Sequence, residues 1–188
     1  MAALAGQALA LPVPADGVVF TGALGCHIAA GLTCVVTGAL AMTAAKRPGR
    51  HTVAGLLYYR SLVVVFASAI IMAVLRLAED WHLLVIALVA GAAGSLGYLA
   101  RRRRWRGWLR VHLLGMSGSY IALLTGFYVD NGPKLPLWNR LPAVAFWLLP
   151  SLVGVPLVVR AMARRHLTVL RRAAGGRRRS GARPGRPS

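Results

Sequence analysis

Histidines are the residues of this chain best suited to chemistry. His27 lies inside the first long apolar run, while His51, His82 and His112 each stand at the start of a later one, and His166 falls in a basic C-terminal stretch. Imidazole is the commonest metal ligand and the axial ligand of many haems. A b-type haem requires two imidazoles on different helices, reaching the iron from opposite faces at nearly equal depth. His51 follows Arg50 by one residue and His112 follows Arg110 by two, so both open an apolar run from a basic flank and sit at matching depth. They form a permissible pair of haem or metal ligands. His27 and His82 match poorly, because His27 lies roughly 10 Å deeper than His82 at 1.5 Å per helical residue. An equally ordinary role for a histidine at a helix edge is a hydrated group bonded to lipid phosphate or to a loop carbonyl, and both readings stay open.

Each of the three candidate ligands has a glycine on its own helical face: Gly31 after His27, Gly55 after His51 and Gly115 after His112. A flat ring fits over such a notch; close helix packing uses glycine equally well. Arg60 is the other candidate, about ten residues into the second run, where a charge is costly unless paired, hydrated or snorkelled. With Tyr58 and Tyr59 preceding it, snorkelling to cytoplasmic headgroups is the favoured reading. The alternative is a buried Arg60 holding a carboxylate, a phosphate or a haem propionate.

These residues need elements to hold them, and the composition says which. Of 188 residues, 57% are apolar and 14% charged, yet 23 Lys and Arg against 4 Asp and Glu give a formal charge of +19. A soluble domain needs more polar surface and a disordered chain has less Leu, Val and Ile. Apolar blocks joined by arginine clusters describe an all-α integral membrane bundle. Five stretches approach the ~20 residues needed to cross hydrocarbon: Val18 to Ala44, Val53 to Leu75, Leu83 to Leu99, Leu109 to Val129 and Leu141 to Val159. The expected organisation is a short N-terminal segment (1–17), a transmembrane domain of about five helices (18–166) and a basic tail (167–188).

Arginine placement sets the expected orientation. Lys46, Arg47 and Arg50, then Arg101 to Arg104, then the C-terminal arginines occupy alternate connections, which the positive-inside rule assigns to the cytoplasm. Asp16, Glu79, Asp80 and Asp130, all the acids of the chain, fall on the other side. The N-terminus is therefore expected outside and the C-terminus inside the cell membrane. Met1 to Leu11 contains no Lys or Arg, so no signal-peptide cleavage is expected. The tail from Arg171 has no apolar face and is expected to be disordered. Emerging beside an anionic inner leaflet, it is expected to attract lipid rather than nucleic acid, at about 1 kcal/mol per basic residue near the surface.

Several chemistries are unsupported. No Asp or Glu lies within a span, where cation-coupled transporters keep a carboxylate. There is no phosphate-binding loop, zinc spacing or serine-nucleophile motif. Cys26 and Cys34, eight residues apart on one helix, are about 12 Å apart along its axis and cannot bridge. Ser117, Ser119 and Thr125 read as interhelical hydrogen-bonding groups. Pro150 and Pro156 predict a kink or break in the fifth helix, which either lines a binding cavity or merely bends.

The segment from His112 to Gly132 (HLLGMSGSYIALLTGFYVDNG), with Leu135-Pro136, Leu141-Pro142, Trp147, Pro150, Gly154 and Pro156, and upstream His51, Gly55 and Tyr58, resembles a family of bacterial predicted membrane proteins grouped as a domain of unknown function. The resemblance spans roughly His27 to Val159. It implies a small helical membrane domain with histidines at helix starts, carried here by His27, His51 and His112, and it supplies no reaction. From sequence three functions remain: a scaffold or lipid-interacting bundle, a small haem b protein in electron transfer, and a small anion transporter or channel subunit. Small-residue faces such as Gly25 with Ala29 permit helix contact within one chain or between copies.

Overall fold

Every long apolar run folds into a helix, because a backbone surrounded by apolar side chains must satisfy its N–H and C=O groups internally. The computed structural model describes residues 17–45, 49–136 and 138–180, with the side chains of 77–79 and 165–180 left aside. Five helices follow in order: α1 (Val18–Thr43), α2 (Arg50–Leu75), α3 (Leu77–Arg103), α4 (Trp108–Asn131) and α5 (Ala143–Ser180). Two short 3-10 turns, Gly132–Lys134 and Trp138–Arg140, join α4 to α5. Among the described residues there is no strand.

Consecutive helices pack antiparallel, and α3 against α4 and α1 against α2 form the most extensive contacts. In α3 and α4, Gly97 meets Gly115 and Gly94 meets Ser119, a register in which one helix number falls as the other rises. Closing the ring, α1 reaches α4 through the Tyr120 hydroxyl, which donates to the Val35 carbonyl at 3.1 Å. Only α5 stands outside, packed on α4. The small core lies where α1, α2, α3 and α4 converge: Cys34, Tyr58, Leu62 and Ala90 are buried, with Met116, Tyr120 and Leu123 packed against them.

Four helices are long and apolar enough to cross a membrane: α1, α2, Asp80–Arg103 of α3 and Ala143–Arg164 of α5. The fifth expected span, α4, falls short in hydropathy although its 24 residues cover about 36 Å. Its position explains why. Between Val111 and Val129 only Leu114 and Phe127 are exposed, so α4 has little lipid to satisfy and carries Ser117, Ser119, Tyr120 and Thr125. The outer helices bear the apolar burden instead: Leu24, Ile28, Leu32 and Val36 on α1, and Leu148, Leu152, Val155 and Val159 on α5, are exposed.

Two further boundaries differ from the sequence reading. The third helix begins at Leu77 rather than Leu83, only Arg76 separating it from α2. Arg76 breaks the helix with φ −135° and ψ 43°, and its guanidinium lies 5.5 Å over the Phe20 ring. The α5 helix runs through Pro150 and Pro156 without interruption and continues past Arg171 to Ser180, so no break in the backbone marks the start of the tail. Residues 1–16 and 181–188, including Asp16 and the last arginines, lie outside the described residues.

Candidate functional site at the basic end of the bundle

The helices that carry His51 and His112 are diagonal partners, and their register decides what the two imidazoles can do. Both run away from the arginine-rich end. Seven residues along each, the Tyr58 hydroxyl donates to Ser119 Oγ at 2.8 Å. Ser119 in turn donates to the Met116 carbonyl at 2.9 Å, so its oxygen accepts from tyrosine. Tyr58 is 2% exposed and Ser119 is fully buried, which makes this bond the lock of the α2–α4 register. The same offset of 61 positions then brings His51 opposite His112, with ring centroids 6.5 Å apart and planes at 86°.

Each ring is held by a backbone carbonyl of a neighbouring helix. His51 Nδ1 lies 2.8 Å from the Ala41 carbonyl of α1, and His112 Nδ1 lies 2.9 Å from the Gly97 carbonyl of α3. A carbonyl only accepts, so Nδ1 carries the donated hydrogen in both rings. An N–H held by a carbonyl is the usual outer-shell support of a metal-ligating histidine.

A half-open cavity of about 420 Å³ adjoins the pair. Leu56, Leu109, Leu113, Met42 and Met116 give it apolar walls; Tyr58 and Tyr120 lie deeper, and Arg101 and Arg102 line it at the end of α3. The volume is that of a site for a drug-sized or cofactor-sized molecule. Arg101 Nη2 donates to Thr52 Oγ1, the residue beside His51, at 3.3 Å. Gly55 lines the cavity and a Cβ there would meet nothing within 4 Å, so its notch is open.

The other two glycines differ from Gly55 and from each other. A Cβ at Gly115 would lie 2.6 Å from the Ala93 carbonyl oxygen and 2.8 Å from Gly97 Cα, so Gly115 closes the α3–α4 contact and offers no place for a ring. Gly31 has open space but lies on α1 well away from the cavity lining.

The remaining sequence candidates fall elsewhere. His27 Nδ1 is 3.0 Å from Ser68 Oγ, and Ser68 donates to the Val64 carbonyl at 2.8 Å. His27 is therefore a half-buried bridge between α1 and α2. His82 lies 6.0 Å from the Trp81 ring and 6.4 Å from Trp147, at the opposite end from the cavity. Arg60 is exposed on the outside of α2 and does not line the cavity. Its neighbour Tyr59 stacks on Tyr98 with centroids 4.1 Å apart, three residues before Arg101, which puts Arg60 within side-chain reach of the arginine level. The Pro150 and Pro156 region of α5 contributes nothing to the cavity. Among the described residues no group of three or more His, Cys, Asp or Glu converges.

Reading the arginines only as topology signals passed over Arg101. A usable signal exists: on α3, Arg101 lies four residues after Gly97 and three after Tyr98, hence on the face that meets α2 and α4. Tyr58 gave no comparable signal, because its role depends on a partner 61 residues away. No family model, curated protein or solved structure matches the chain.

Proposed function

We propose that this chain is a multi-pass protein of the cell membrane, N-terminus outside and C-terminus cytoplasmic, that holds one b-type haem between His51 and His112. The observation that carries the reading is the 6.5 Å spacing of two carbonyl-anchored imidazoles beside a cavity of cofactor size. With metal–nitrogen bonds of about 2 Å, the spacing leaves room for a metal-bearing group between the rings, and His51 and His112 would be the residues that hold it.

Depth supports the same assignment. On α2, Arg60 and Arg76 are 16 residues apart, about 24 Å, and with their side chains snorkelling outward they bracket a hydrocarbon layer of about 30 Å. His51 lies nine residues beyond Arg60, about 14 Å further along the axis. The histidine end of the cavity accordingly lies in the cytoplasmic headgroup layer, and its Tyr58 end reaches the hydrocarbon boundary. Anionic lipid around the exposed Arg102 and Arg103 is the expected surrounding, and nucleic acid is not.

A haem supplies one-electron chemistry, and this chain determines where that electron is available. From His51 to Arg76 at the far end of α2 is about 38 Å of helix. In that outer half His27 is bonded to Ser68 and His82 sits among tryptophans. Exchange is therefore with partners at the cytoplasmic face or in the inner leaflet. The anion-transport alternative leaned on Arg60 and on the prolines of α5, and all three lie outside the cavity.

The test is the absorption spectrum of protein purified in detergent from haem-supplied cells. The expected result is a Soret band with sharp alpha and beta peaks on reduction, lost in His51→Ala and in His112→Ala. A folded, colourless wild-type protein would refute the reading.

A further inference from the structure

We infer that Arg101, braced by Thr52, and Arg102 form a carboxylate-recognition edge, so that the cavity takes an amphiphilic dianion of the porphyrin-dicarboxylate class with its acid groups turned to the cytoplasm. The inference rests on the ligand reading above and adds the chemistry and direction of the ligand.

The argument begins with charge. Arg101 and Arg102 both line the cavity, and Arg50, Arg103, Arg104, Arg106 and Arg110 stand at the same end of the bundle. The carboxylates whose side chains are described, Asp80 and Asp130, belong to the opposite end; Asp130 is paired there with Lys134 at 3.6 Å. Among the described residues this end of the bundle supplies no acid to neutralise its cationic wall, so the cavity favours an anion.

Geometry then selects the kind of anion. Arg101 is half-buried, and its bond to Thr52 fixes the guanidinium next to His51 while leaving N–H groups to give. A guanidinium presents a planar fork that matches a carboxylate with two parallel bonds. Away from the arginines the walls become Leu56, Leu113 and Met116, which suit an apolar body. An occupant with acid groups at one edge and a flat apolar remainder satisfies both halves, and only one orientation does so.

The experiment uses the full-length protein in lipid nanodiscs, prepared from haem-deficient cells and titrated with haem or with haem dimethyl ester, followed at the Soret band. Wild-type protein is expected to bind haem about tenfold or more tightly than the diester, the scale of one charge-assisted hydrogen bond. The Arg101→Ala, Arg102→Ala double variant should bind both at the diester level while keeping the bis-histidine spectrum. Equal affinity of wild type for the two forms, or a double variant that still prefers haem, overturns the carboxylate edge and leaves the histidine assignment standing. Absence of any His51-dependent Soret band with either form overturns both.

Discussion

A methyl group added at Gly115 tests the architecture of the site at its tightest point. The new Cβ would stand 2.6 Å from the Ala93 carbonyl oxygen and 2.8 Å from Gly97 N and Cα. All three are backbone atoms of α3, so no rotamer change relieves the contact. Reaching an ordinary van der Waals separation requires α3 and α4 to part by nearly 1 Å. Overpacking of this kind costs about 1–3 kcal/mol, and it acts where His112 Nδ1 donates to the Gly97 carbonyl at 2.9 Å. Gly115→Ala should therefore lower stability by that amount and loosen His112 in the same step. The assay is reversible unfolding in mixed micelles, followed by circular dichroism, with Gly31→Ala as the control. Gly31 has nothing within 4 Å, and its substitution should fall within about 0.5 kcal/mol of wild type. Should Gly115→Ala prove as stable as wild type, or no worse than Gly31→Ala, the glycine-to-glycine crossing of α3 and α4 is not as described and the placement of His112 loses its support.

Two other outcomes follow from the same structure. Tyr58→Phe and Ser119→Ala each remove the bond that sets the α2–α4 register, so a double-mutant cycle should give a coupling of about 0.6–1.5 kcal/mol; additivity would show that the bond does not act. For orientation, on a background lacking Cys26 and Cys34, a single cysteine at Arg103 should resist a membrane-impermeant maleimide added to intact cells, and one at Asn139 should react. The reverse pattern would place the arginine-rich end outside and remove the cytoplasmic assignment of the cavity.

What was legible in the sequence followed from properties local to each segment. Apolar length gave the helices, and the basic flanks of His51 and His112 gave their equal depth, because depth along a span depends only on distance from its end. Arg60 faces outward as its aromatic surroundings suggested, but of the two cysteines, both of which read as small buried residues of one apolar run, Cys34 is buried and Cys26 is exposed. Ser119 bonds across helices as expected, whereas Thr125 bonds within its own to the Ile121 carbonyl.

The remainder was decided by tertiary packing. Which helix sits in the middle cannot be read from hydropathy: α4 is the one helix of the five that falls short of a membrane-spanning apolar stretch, although it packs on both α3 and α5. Nor can a single chain position show whether a glycine makes room for a ligand or for another backbone. Gly55 and Gly115 follow their histidines at similar spacing, yet one faces a cavity and the other a helix. Depth is a property of one helix, but facing is a property of two, and only the assembled bundle turns two histidines at the same level into rings 6.5 Å apart.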